Sequence, residues 1–285
     1  MTSPPSDRPP TTYEPREHWS ALHRVGGLKA VGQSGLPESL NRWLYRIGRR
    51  NVRAFMATHG LADLDGAAVL DVGSGTGFWI DLWSSLGAAQ VDGVDISPDA
   101  VERLRERLPD ATFLIGDIAD PTLLPPDPTY DAVMVMNVLL HIVEEEQFAA
   151  AAANLAATLK PGGRLLLAEP ALVRTSSARP PRPGATSVAR PLARYRDVLE
   201  THGLEFVAVG PSTVVGANPI ETDDPRYDWY AALWKRVARS ARKGPRRGAA
   251  LGAGLAVVDR ILMLTGAAPS GKLVLFARPR TTRSP

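Results

Sequence analysis

Five short apolar runs recur through the middle of this chain: Ala67 to Val72, Gln90 to Val94, Thr112 to Ile115, Tyr130 to Met136 and Arg164 to Ala168. Each is rich in Val, Ile or Leu, and helical patterns separate them, as a parallel sheet with crossover helices requires. Each run also stops at a polar residue, in order Asp71 or Gly73, Asp95, Asp117, Asn137 and Glu169. The intervals are 24 positions from Asp71 to Asp95, 22 from Asp95 to Asp117 and 20 from Asp117 to Asn137, one strand–helix unit each. In an open parallel sheet the ligand lies beyond the carboxyl ends of the strands, so these polar residues converge on one rim.

The punctuation of the helices agrees with that frame. Ser97 caps and Pro98 begins the helix that continues "DAVERLRERL", and Glu144, Glu145 and Glu146 suit the positive start of an Ala-rich helix that Lys160 and "PGG" are expected to end. Ahead of the first strand, "ESLNRWLYRIGRRNVRAFMATH" places Leu40, Trp43, Leu44, Ile47, Phe55 and Met56 near helical spacing. After the fifth run, "PALVRTSSARPPRPGATSVAR" is too long for a simple connection and reads as a lid or mobile loop. A helix at "YRDVLETHG", a strand at "LEFVAVG", a helical insert with Tyr230, Leu233, Trp234 and Val237 on one face, and a last strand at "KLVLFARP" complete the chain.

The expected fold is therefore α/β: a Rossmann-like, seven-stranded, mostly parallel sheet with helices on both faces, an N-terminal helical cap and a helical insert before the last strand. The corresponding organisation is a Pro-rich disordered arm at 1–14, a cap at 15–62 and the main domain at 63–285, with a loop or lid at 170–195 and the insert at 220–267.

Composition removes several chemistries. The 285 residues contain no cysteine, which excludes disulfides, thiolate metal sites and a cysteine nucleophile. The N-terminus has no signal-peptide core, and Gly248 to Ala267 is interrupted by Asp259 and Arg260, so a soluble, cytoplasmic chain is expected. Net charge is only +3, yet Lys235, Arg236, Arg239, Arg242, Lys243, Arg246 and Arg247 fall where no acid occurs between Asp228 and Asp259. Such a run reads as a solvated helix face, or as a surface for an anionic membrane, a phosphorylated substrate or nucleic acid.

The loop "VLDVGSGTGFW" spaces its glycines as G-x-G-x-G at Gly73, Gly75 and Gly77, where the dinucleotide fingerprint is G-x-G-x-x-G. Glycines alone leave open whether the loop cradles a pyrophosphate or another adenosine compound. Together with "VDGVDIS", "FLIGDIAD", "YDAVMVMNVLLHI" and "LKPGGRLLLAEP", however, the segment from about 66 to 170 resembles the class I S-adenosylmethionine-dependent methyltransferases, with five motifs in order.

That resemblance implies S-adenosylmethionine as cofactor, with Gly73, Ser74, Gly75 and Gly77 approaching the methionine moiety and Asp71 ordering the loop and helping to hold the amino group. It places Asp95 on the ribose hydroxyls, Asp117 on the adenine amine, Ile96 and Ile118 beside the ring, and Asn137 by the methionine portion. A rim with three acids suits a cationic, hydroxyl-rich ligand better than a pyrophosphate.

Methyl transfer to a hydroxyl needs alignment and a base. His141 is the candidate base, as in similar sugar and glycoside O-methyltransferases, and Glu169 would orient it or bind the acceptor hydroxyl. Lacking a cysteine and an Asn/Asp-Pro-Pro-aromatic motif, the chain is expected to act on a small molecule, most readily a hydroxyl of a natural product or sugar, without nucleic acid and without metal. The aromatics Tyr13, Trp19, Trp43, Tyr227, Trp229, Tyr230 and Trp234 would enclose a flat acceptor, and Arg174, Arg190 and Arg194 would bind any carboxylate or phosphate on it. Rival readings are a lipid or lipid-linked acceptor at a membrane surface, N- or C-methylation, a non-catalytic ligand-binding module and, more remotely, a dehydrogenase. The oligomeric state is not legible.

Overall fold

The structure, a computed structural model, describes residues 13–33, 35–174, 184–217, 219–265 and 271–280. Three helices come first: α1 (Pro15–Val25), α2 (Leu28–Val31) and α3 (Glu38–Thr58). Strands and helices then alternate as β1 (Ala68–Val72), α4 (Phe78–Ser85), β2 (Gln90–Asp95), α5 (Pro98–Arg107), β3 (Phe113–Ile115) and β4 (Tyr130–Met136). A single 3-10 turn at Leu139–His141 leads to α6 (Glu145–Ala157), β5 (Leu159–Glu169), α7 (Leu192–Thr201) and β6 (Glu205–Thr213). The chain closes with α8 (Tyr227–Ala241), α9 (Pro245–Leu264) and β7 (Gly271–Ala277).

The seven strands form one sheet in the order β3-β2-β1-β4-β5-β7-β6. The first five are parallel, and β7 runs antiparallel to both β5 and β6. Strand order reverses between β1 and β4, so the crevice of a doubly wound sheet opens at their carboxyl ends. The alternation of side chains across the sheet sorts the core into two layers. Leu70, Val133, Leu165 and Val274 face α6 and α7 through Phe148, Leu155 and Leu199. Their neighbours Val69, Met134, Leu166 and Leu275 face α3, α4 and α5 through Met56, Trp83 and Leu104.

Ser97 caps α5 as expected, its Oγ accepting the Ala100 amide at 3.3 Å. The end of α6 departs from expectation, because the helix stops at Ala157 and "KPGG" lies inside β5. Thr158 hands its carbonyl to the amides of Thr129 and Tyr130, starting the ladder early. Lys160 pairs with Asp131 across the strands at 2.9 Å, so it acts in the sheet rather than at the helix end.

A third layer is built where α9 lies against α3. Gly248 and Gly252 permit the approach: a Cβ at Gly252 would stand 2.5 Å from Trp43. Asp259 of α9 is fully buried there, yet its oxygens accept from Val214 N (2.7 Å), Arg50 Nη2 (2.9 Å) and Asn51 Nδ2 (3.0 Å). A buried carboxylate is tolerated only with such partners. Tyr230, Trp234 and Val237 of α8 complete this layer. Of the expected N-terminal arm only Tyr13 and Glu14 are described, and 175–183 of the expected lid also fall outside the described residues. No helix among the described residues is long and apolar enough to cross a membrane.

Candidate active site

A cavity of about 730 Å³ opens at the carboxyl rim of β1, β2, β3 and β4 and is closed from outside by α1, α2 and the start of α3. Its floor is the turn after β1. Gly73 and Gly75 adopt φ of 71° and 52°, a left-handed conformation costly for other residues. Space is equally restrictive: a Cβ would stand 2.3 Å from Val138 at Gly73 and 2.6 Å from Val31 at Gly75. Ser74 lines the same floor and donates its Oγ to the Asp71 carbonyl at 2.9 Å, which closes the turn. Gly77 does not reach the cavity; it is the left-handed cap of α4.

Asp95, at the end of β2, is 6% exposed and lines the cavity. Its two carboxylate oxygens accept the amides of Gly75 (2.8 Å) and Ser97 (2.9 Å), which ties the glycine turn to the next strand and leaves lone pairs on each oxygen. Burial pushes its pKa up, opposed by those amides and by nearby His23. Asp117 is exposed on the rim with Ile96 and Ile118, one oxygen accepting from Ala119 N at 2.9 Å. Asn137 also lines the cavity, and its φ of 60° makes it the described non-glycine residue with left-handed backbone. Strain of that kind persists only where the surroundings over-determine it, and here the Asn137 amide is fixed to the Ala168 carbonyl at 2.8 Å.

Two expected site residues lie elsewhere. Asp71 does not line the cavity. On β1 it shares the face of Val69, so its carboxylate points beneath the turn and accepts the Trp83 indole N–H at 2.7 Å. Its other oxygen has no partner, and burial pushes its pKa up to about 7. It orders the loop from below and is not placed to hold a ligand's amino group. Glu169 is fully buried and is likewise no part of the wall. Its carboxylate accepts the amides of Val138 (3.0 Å), Leu139 (2.8 Å) and Leu140 (3.0 Å), and burial pushes its pKa up to about 8. Glu169 thus clamps the 3-10 turn that carries His141; it neither touches the imidazole nor faces an acceptor.

His141 does face the cavity. Its Nδ1 lies 2.6 Å from the Thr186 carbonyl, which can only accept, so Nδ1 carries the hydrogen and Nε2 keeps a lone pair. Burial lowers its pKa, with the Thr186 bond opposing and His18 reinforcing. The ring therefore stays neutral near pH 7 and is able to take a proton at Nε2.

The outer wall is aromatic. Trp19 meets His141 edge-on at 4.7 Å and donates its Nε1–H to Tyr13 Oη at 3.2 Å, while Tyr45, Phe78 and Trp79 form the opposite side. Residues 78 and 79 directly follow the glycine turn, so their place was readable from the sequence; His23, Val31 and Tyr45 carry no such signal. Trp43, Tyr230 and Trp234, expected around the acceptor, instead pack in the α3–α8–α9 layer, and Tyr227 and Trp229 are not on the wall. The insert thus braces α3 and does not border the cavity.

None of the three arginines lines the cavity, and each has an acidic partner. Arg190 is buried, bonds Glu145 at 2.6 Å and the carbonyls of Leu139 and Ile142, and stacks on Phe148. Arg194 pairs with the same Glu145 and Arg174 with Asp224. Among the described residues no lysine or arginine lines the cavity, whereas Glu14, Asp95, Asp117 and Glu144 do. No group of three or more metal-ligating side chains occurs among them either.

Residues 69–163 match the family model described as a methyltransferase domain. The chain is 36% identical over 105 residues to a magnesium-protoporphyrin O-methyltransferase of Rhodobacter capsulatus, covering 35% of this chain and 45% of that protein. It spans about half the length of the curated relatives it matches. A putative sarcosine dimethylglycine methyltransferase from Galdieria sulphuraria shares the fold with a TM-score of 0.55 at 16% identity, over 81% of this chain and 85% of the other. A magnesium protoporphyrin IX methyltransferase from Synechocystis PCC 6803, solved with bound S-adenosylmethionine, superposes with a TM-score of 0.52 at 23% identity, over 71% and 90%.

Proposed function

We propose that this chain, whose central domain is of the class I S-adenosylmethionine-dependent methyltransferase superfamily, methylates a hydroxyl on a small, flat organic acceptor. The cofactor reading is supported by the charge of the rim. A dinucleotide would bring a doubly anionic pyrophosphate into a rim that holds Asp95, Asp117 and Glu144 and no described cation, while S-adenosylmethionine, with a sulfonium and an ammonium against one carboxylate, is net cationic and suits that rim better. Asp95 would hold the ribose hydroxyls, Asp117 the adenine amine, Ile96 and Ile118 the ring, and Gly73, Ser74, Gly75 and Asn137 the methionine end. When bound, S-adenosylmethionine supplies an electrophilic methyl group.

The observation that carries the acceptor reading is the tautomer of His141. His141 lines the cavity with Nδ1 tied to the Thr186 carbonyl, so its neutral ring keeps a lone pair on Nε2, and Glu169 holds the turn beneath; this presets the imidazole to accept a hydroxyl proton. The aromatic wall of Tyr13, Trp19, Tyr45, Phe78 and Trp79 favours a flat apolar body, and the acidic rim disfavours an anionic one. A neutral natural product with a phenolic or alcoholic hydroxyl on a flat apolar body meets both conditions.

The test is isothermal titration with S-adenosylmethionine, S-adenosylhomocysteine and NAD, followed by a methyl-transfer assay on neutral and carboxylated aromatic alcohols. Micromolar binding of the two adenosyl ligands with turnover confined to neutral acceptors supports the proposal. Binding of NAD instead, or turnover preferring carboxylates, overturns it. Adenosyl binding followed by amine or carbon methylation would keep the cofactor and refute the hydroxyl.

A further inference from the structure

We infer that the outer face of the α8–α9 hairpin docks on an anionic lipid surface, an inference independent of the methyl-transfer reading. The inner side of α9 is set by Gly248, Gly252, Leu255 and Asp259, all buried. At 3.6 residues per turn, the opposite side carries Arg246, Ala250, Val257, Ile261 and Leu264. Three of these are large apolar side chains left in water: Val257 is 61% exposed, Ile261 56% and Leu264 85%. An apolar groove adjoins them between the helices, lined by Leu233, Val237, Leu251, Leu255 and Val258. Along its other bank α8 presents Trp229 and Arg236, seven residues apart on one row, with Trp229 57% exposed, and Lys243 follows in the turn before α9.

The charge around this face is mostly of one sign, the exposed Asp228 at the start of α8 being the exception. Lys235, Arg236, Arg239, Arg242, Lys243, Arg246, Arg247 and Arg260 are all exposed, and no ion pair among the described residues involves any of them. Asp259, the acid in their midst, is buried and already paired with Arg50. Two helices with uncompensated cations, exposed aliphatic side chains and a half-exposed Trp match the requirements of a bilayer interface: anionic headgroups meet the cations, and the aliphatic stripe enters the acyl boundary. A second copy fits worse, because self-association would bury part of this charge with no acid opposite. Nucleic acid would leave Val257, Ile261 and Leu264 without a role.

The experiment is co-sedimentation of the full chain with phosphatidylcholine vesicles, with and without phosphatidylglycerol. The variants are Arg246→Glu/Arg247→Glu, Val257→Asp/Ile261→Asp and, as a charge control on another face, Arg53→Glu. All sites are exposed, and thermal melting of each variant reports that it is folded. Expected is binding that needs phosphatidylglycerol, falls as salt rises, weakens about tenfold or more in each double variant and changes little in Arg53→Glu. Absence of binding to the anionic vesicles overturns the inference, as does equal loss in Arg53→Glu or undiminished binding of the Val257→Asp/Ile261→Asp protein. A wild-type dimer that this last variant converts to monomer would assign the face to a second copy instead.

Discussion

The Thr186 carbonyl accepts a hydrogen bond from His141 Nδ1 at 2.6 Å, across 45 residues of chain, and thereby leaves the lone pair of the neutral imidazole on Nε2. If Nε2 is the base, His141→Ala should lower kcat roughly 10²- to 10⁴-fold while leaving the cofactor Kd within a factor of about three. The pH profile carries the sign. Burial lowers the His141 pKa, so the protonated, inactive form appears only below the ordinary histidine value of about 6.5. Activity should hold on descending through pH 7 and fall on an acid limb centred below 6.5, a limb absent from the residual activity of His141→Ala. A variant with near-wild-type turnover would remove His141 from the chemistry.

Asp95 ties the glycine turn to the end of β2 through one carboxylate, which is also the proposed anchor of the ribose. Asp95→Asn keeps an acceptor for one amide but offers N–H groups to the other and loses the charge-assisted bonds to the ligand. A weakening of S-adenosylhomocysteine binding of about 10- to 100-fold is expected by titration calorimetry, corresponding to one or two such bonds. Asp117→Asn, on the exposed rim, should cost less, because water competes for the same donor.

How much of this was legible depends on which physical rule placed each residue. Asp95, Asp117 and Asn137 were found because strand ends at regular intervals share a rim, and that rule needs only the order of the elements. Asp71 and Glu169 end strands too, yet the same side-chain alternation that builds the core turns both under the turns they support. Asp71 follows Val69 onto the α4 side, and Glu169 follows Leu165 and Leu167 onto the α6 side. Period-2 reading puts Asp71 and Glu169 on buried faces, but it does not set Asp71 apart from Asp95, which follows Val91 onto the same side of the sheet. His23, Val31 and Tyr45 reach the cavity only because α1 to α3 fold back over it, a long-range packing event with no local pattern. The aromatic insert was misplaced for the related reason that amphipathicity shows a buried face without showing what covers it.

Asp71 gives a stability test. Burial holds its folded pKa at about 7, above the unfolded value of about 3.9, so folding takes up a proton between those limits. Its contribution is therefore complete below about pH 4 and is lost as the pH rises through 7. Asp71→Asn can still accept from Trp83 and has no charge to bury, so the difference in unfolding free energy between variant and wild type should move in favour of the variant by on the order of 2 kcal/mol from pH 5 to pH 9. Urea titrations at the two pH values measure it. A difference that does not change with pH would mean that the acid is ionised throughout. Glu169, raised to about 8 by burial, should keep part of the alkaline loss in both proteins.

The contact between the cap and the turn is open to a double-mutant cycle. A methyl group at residue 75 would stand 2.6 Å from Val31 Cγ1 on α2 and would require a φ of 52° that alanine resists. The steric part can be relieved from the far side, since Val31→Ala removes the atom in the way, whereas the backbone part cannot. Gly75→Ala should therefore weaken cofactor binding by at least about tenfold, and adding Val31→Ala should restore part but not all of it. The expected coupling is of the 0.5–3 kcal/mol size seen for residues in contact. Val31→Ala alone should change binding little, because it removes only two methyl groups from the cavity wall and leaves the glycine turn as it is. Full recovery in the double variant would assign the whole effect to crowding by α2; no recovery would mean that the cap moves aside and that the left-handed turn alone sets the affinity.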